Sequence, residues 1–149
     1  MAATQVRRAS MGRGILHLVF ALSYADTALI VAGASANVNL GDVLPAGAEV
    51  ISAWTKLDTA FTSGSVTGLT VEVGTSADTD GFITAGEVLS GSPTLTRRHV
   101  KGAWVTADGK QLLARLTASG ANLGNGTVTN LTAGKLKVHV LIAIAKDVT

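Results

Sequence analysis

A chain of 149 residues is long enough for one domain with a substantial core, and the absence of cysteine excludes disulfides and thiolate metal sites. A formal net charge of +2 is too small for a whole-domain electrostatic footprint on nucleic acid. Hydrophobic residues make up 47% and aromatics only 4%, so the core must be built from Val, Leu, Ile and Ala. With 17 Gly and abundant Thr and Ser, this composition suits strands joined by turns.

Residues 1–13 are polar and basic, with Arg7, Arg8 and Arg13 and no acid before Asp26. They lack the apolar periodicity to fold alone. They are expected to form an assembly arm held by a neighbouring subunit, with residues 14–149 as a single domain. The following apolar run resembles a secretory signal. His17 and Asp26 interrupt it, and it is too broken for a transmembrane helix. It reads instead as two strands, 14–22 and 27–32, with a turn near Ser23 to Asp26.

A third strand covers 37–43 and ends at the turn Leu44-Pro45-Ala46-Gly47. The fourth covers 48–59, with Ile51, Ala53 and Leu57 on the buried parity. The fifth covers 68–74, with Leu69, Val71 and Val73 inward. Residues 75–93 read as a long connection with a helical turn around 85–89. The sixth strand is 99–106, followed by the tight turn Ala107-Asp108-Gly109. The seventh, 110–118, turns Leu112, Ala114 and Leu116 inward. A Gly/Asn/Thr loop leads to the last strand. There Leu136, Val138, Val140, Ile142 and Ile144 share one parity, while Lys135, Lys137 and His139 share the other. About eight short strands with regular turn signals predict an all-β fold, an antiparallel β-sandwich of jelly-roll order with an extended N-terminal arm.

The sharpest chemical motif is the stretch from Ser76 to Glu87, which nearly satisfies a calcium loop through Asp78, Asp80, Gly81 and Glu87. Ser76 stands where the first carboxylate belongs, and a strand precedes the loop where a helix should. An acidic surface turn is the expectation, without a bound ion. His17, His99 and His139 lie in three different strands, and two strands could bring a pair together. No hydrolase, zincin, P-loop or dinucleotide fingerprint is present. The chain is therefore read as non-enzymatic and without a cofactor. Arg97 and Arg98 begin a second basic group, but six aromatics are too few for a base-stacking platform. They are read as a partner-facing or solvated loop. Trp54 shares an outer parity with Ser52, Lys56 and Asp58, which makes it a candidate contact residue. Leu113 and Leu141 also fall on outer parities.

The sequence Gly41-Asp42-Val43-Leu44-Pro45-Ala46-Gly47-Ala48-Glu49-Val50 resembles an entry segment of small β-sandwich virion proteins of tailed phages. Leu69 to Gly74 with the acidic loop through Ile83, and the closing stretch from Leu131 to Val138, are similar to later parts of the same proteins. The group is that of jelly-roll cement, or decoration, proteins. The resemblance implies a protein on the outer capsid surface, made in the host cytoplasm, that clamps neighbouring subunits of the major capsid protein. It implies association with itself as a dimer or trimer, and no catalytic residues. Neither a nucleic acid nor a membrane partner is expected. The interface candidates are Arg7, Arg8, Arg13, Trp54, Lys56, Arg97 and Arg98. A fibre- or spike-associated receptor-binding module is the alternative.

Overall fold

The computed structural model describes residues 4–10, 14–43, 48–89, 95–98, 104–106 and 111–143. These hold ten strands: β1 Thr4–Ser10, β2 Ile15–Ser23, β3 Ser35–Val43, β4 Ala48–Ser63, β5 Gly68–Thr75, β6 Ile83–Glu87, β7 Leu95–Arg98, β8 Trp104–Thr106, β9 Gln111–Ser119 and β10 Leu131–Ala143. One sheet runs β1-β2-β10-β4-β7, with β8 paired to a further stretch of β4. The other runs β3-β9-β5-β6. Adjacent strands are antiparallel in both. The chain is an antiparallel β-sandwich, as its alternation predicts.

The strand β10 lies at the centre of the larger sheet because its apolar parity is unbroken. Leu136, Val138, Val140 and Ile142 are at most 2% exposed. Each such side chain contributes roughly 1.5–3 kcal/mol on burial. Opposite them Val38, Leu40, Leu69, Val71, Val73, Leu112, Ala114 and Leu116 line the inner face of the smaller sheet. Gly134 begins the regular part of β10 with φ at 141°, in the range that disfavours side chains. The Phe61 ring occupies the space where its Cβ would stand. An aromatic thereby covers the bare backbone at a point where the β4–β10 register shifts.

Several expectations are corrected. Residues 27–32 are not a strand: Thr27–Leu29 is a 3-10 helix. Leu29 N–H donates to the Asp26 carbonyl and Ile30 N–H to that of Thr27, so these backbone groups are satisfied locally. Only Leu29 of this apolar run is buried. Ile83–Glu87 is a strand, where the sequence predicts a connection with a helical turn around 85–89. Phe82 and Ile83 are buried, and the Glu87 carboxylate accepts the backbone N–H of Leu69 and of Leu89, each at 2.9 Å. Ile51 is 46% exposed, whereas Val50 is buried. Leu141 pairs with Ser52 and Ile142 with Val50, so Ile51 is the extra residue of a β-bulge that reverses the parity of β4. Arg97 and Arg98 belong to a strand, β7, and not to a loop. Of the expected sixth strand, Trp104–Thr106 is observed and 99–103 lie outside the described residues.

Candidate functional site

The bulge in β4 sets which side chains share the outer face of the larger sheet. Beyond it, Trp54 pairs with His139 and Lys56 with Lys137. On the other side of β10, His139 pairs with Val19 and Leu141 with His17. Directly paired residues point to the same face, so three rings from three strands meet there. Trp54 and His139 stack with centroids 4.9 Å apart and planes 7° from parallel. His17 stacks on both, at 5.2 Å from His139 and 5.4 Å from Trp54. All three are half-buried. Trp54 is thus outside the core, as its parity predicts.

The two imidazoles are also hydrogen-bonded, His17 Nε2 to His139 Nδ1 at 3.0 Å. His139 Nε2 is buried and has no hydrogen-bond partner among the described residues. Burial disfavours the imidazolium, and His17, Lys137 and Lys56 add repulsion that Asp58 only partly offsets. The His139 pKa is accordingly pushed down from 6.5 to about 4. The ring is neutral at physiological pH. Lys137 and Lys56 flank the stack and share Asp58, at 3.2 and 3.7 Å. Beside them a cleft of about 430 Å³ is lined by Ser23, Asp26, Lys135 and Lys137. Burial raises the Asp26 pKa, against the hydrogen bond its carboxylate accepts from Ser23 N–H at 2.9 Å.

The interface candidates fall at distinct places. Trp54 and Lys56 stand together on this outer face. Arg97 is the register partner of Trp54, and Arg7 that of Val19. One row across the sheet therefore reads Arg7, Val19, His139, Trp54, Arg97. Arg8 pairs with Leu18 and Arg98 with Ala53, both buried core residues, so these two occupy the alternate register. Arg13 and His99 lie outside the described residues. The arm residues Thr4–Ser10 form β1 and pair with β2 of their own sheet. Sequence reasoning missed His17 and His139 as companions of Trp54. Both sit on the outer parity of their strands, but only the register of β2, β10 and β4 joins them.

The acidic loop is held by its own chain. The Asp78 carbonyl accepts the N–H of Thr75 and of Gly81. The loop passes so close over Gly74 that a Cβ there would strike the Asp78 carbonyl. Leu113, the register partner of Gly74, is only 5% exposed on this outer parity. Among the described residues, no three His, Asp or Glu side chains are grouped to hold a metal ion.

No protein-family model matches the chain, and no curated protein matches it. Among solved structures it is similar to a chain of the cyanophage Pam1 capsid asymmetric unit. The TM-score is 0.58 at 16% identity, over 95% of this chain and 94% of that one. A chain of the acid-stable capsid of Helicobacter pylori bacteriophage KHP30 also matches, with a TM-score of 0.44 at 15% identity, over 85% of this chain and 89% of that one.

Proposed function

We propose that the chain is a structural virion protein that binds the outside of a phage capsid and clamps neighbouring subunits of the major capsid protein. The observation that carries this reading is the fold shared, nearly end to end, with a chain of the Pam1 capsid. The strand order β2-β10-β4-β7 facing β3-β9-β5-β6 supports a jelly roll, with the first and last strands of the roll side by side. In this reading the protein works by added contact area. A modest interface repeated over many symmetry-related positions stabilises the shell through multivalency. Self-association as a dimer or trimer would bridge adjacent capsid subunits.

The test is quantitative mass spectrometry and immunogold labelling of intact virions of the phage that encodes the chain. A copy number in fixed ratio to the major capsid protein, with label over the head, is expected. Absence from the particle, or a few copies confined to the tail, overturns the reading.

A further inference from the structure

The two outer faces of the sandwich differ in chemistry. On the smaller sheet, polar side chains are paired with one another. Gln111 Nε2 donates to Asn39 Oδ1 at 2.8 Å, and Ser35 and Thr117 hydroxyls meet at 3.3 Å. Glu72 accepts the Thr79 hydroxyl at 2.8 Å and lies 4.0 Å from Arg115. The acidic loop closes over Gly74.

The outer face of the larger sheet is different. Its centre is the half-buried stack of Trp54, His139 and His17, and its flank carries Lys56, Lys135 and Lys137. Lys135 is exposed and makes no ion pair among the described residues. Arginines at positions 7 and 97 end the central row. By register position the face holds these two arginines and the three lysines; its described acids are Asp58, already shared by Lys56 and Lys137, Glu49 at the far end, and Asp26 in the adjoining cleft. An aromatic centre within a charged rim is the make-up of a protein-binding surface. The unpartnered His139 Nε2 marks the stack as costly to the free protein.

We propose that this face is the docking surface, and that its partner is a folded protein surface presenting carboxylates around a small apolar centre. Charge complementarity selects the acidic partner. Six aromatics in the whole chain and a net charge of +2 are too few for a base-stacking platform on a basic groove, which favours protein over nucleic acid. Naming that partner as a capsid subunit rests on the virion reading above.

The experiment uses the full chain, fluorescently labelled, and phage heads assembled without it, with a DNA duplex as a second probe. Wild type is expected to bind heads, more weakly as salt rises. Trp54→Ala and Lys135→Glu should each weaken binding by about tenfold or more. Asn37→Glu, on the exposed face of β3, should bind as wild type. Lys135 is exposed, so its variant tests the face without burdening the fold; circular dichroism confirms folding of both. Wild-type binding unchanged by Trp54→Ala and Lys135→Glu overturns the docking face and leaves the virion reading standing. A wild type that fails to bind heads overturns both. Binding to the duplex in preference to heads overturns the acidic-protein partner.

Discussion

His17 Nε2 lies 3.0 Å from His139 Nδ1 although 122 positions separate the two residues, and both rings stack on Trp54. Neighbouring strands β2, β10 and β4 supply one ring each. This contact gives the sheet a titratable joint. In the folded chain His139 titrates at about 4, against 6.5 when unfolded. Between those values the unfolded chain holds the extra proton. The stabilising contribution is therefore fully present above about pH 6.5 and is lost as pH falls towards 4. One pKa unit corresponds to about 1.4 kcal/mol; with the ring half-buried, the loss should be on the order of 1–3 kcal/mol. Urea melts at pH 7 and pH 4.5 measure it. His139→Gln should flatten the difference between the two pH values, and an equal slope in both proteins would remove the idea.

The contact of Phe61 with Gly134 predicts a second, pH-independent weakness. Gly134→Ala places a methyl in the ring of Phe61 and on a backbone with φ at 141°. Either the ring leaves the core or β10 shifts at its start. Overpacking of this kind costs about 1–3 kcal/mol, and left-handed strain adds to it. Thermal unfolding should drop by several degrees. A melting temperature unchanged from wild type would mean that the register shift absorbs the methyl.

Glu87 carries a different load. One carboxylate oxygen accepts two backbone donors, Leu69 N–H and Leu89 N–H. Hydrogen bonds to a charged acceptor contribute about 1.5–3 kcal/mol each when removal leaves donors unpaired. Glu87→Gln keeps an acceptor oxygen and should lose less than Glu87→Ala. Hydrogen exchange at Leu69 and Leu89 reports it locally. Faster exchange in Glu87→Ala at these two amides is expected, with Glu87→Gln between it and wild type.

Much of the sandwich was legible because burial has a period of two. Val138 and Val140 are buried beside outward-facing His139, and Leu112, Ala114 and Leu116 are buried as their parity requires. Parity fails where register shifts. Alternation places Ile51 inside, yet it is exposed, because a bulge adds one residue that no local pattern announces. The apolar run 27–32 predicts a strand, but local hydrogen bonds close Thr27–Leu29 into a 3-10 helix. Trp54 could be singled out from an odd neighbour set alone. Its companions could not, since finding them requires knowing that β10 lies between β2 and β4.

The N-terminal segment tests how edge and interface relate. Thr4–Ser10 pairs along β2 with one register shift, and so covers a sheet edge that would otherwise be open. Among the described strands β1 stands at the end of its sheet and pairs there with β2 alone. Deleting residues 2–13 should therefore leave a folded sandwich with a moderately lower melting temperature. It also removes Arg7, Arg8 and Arg13 and bares the edge of β2 from Leu16 to Ala21. We expect much weaker attachment to heads, and concentration-dependent self-association through the bared edge, visible by light scattering. If the segment only covers its own sheet, attachment per folded molecule should be unchanged at raised salt. Loss of attachment with the fold retained would instead make β1 both the edge cover and an anchor, with Arg7 in the register row of the ring stack.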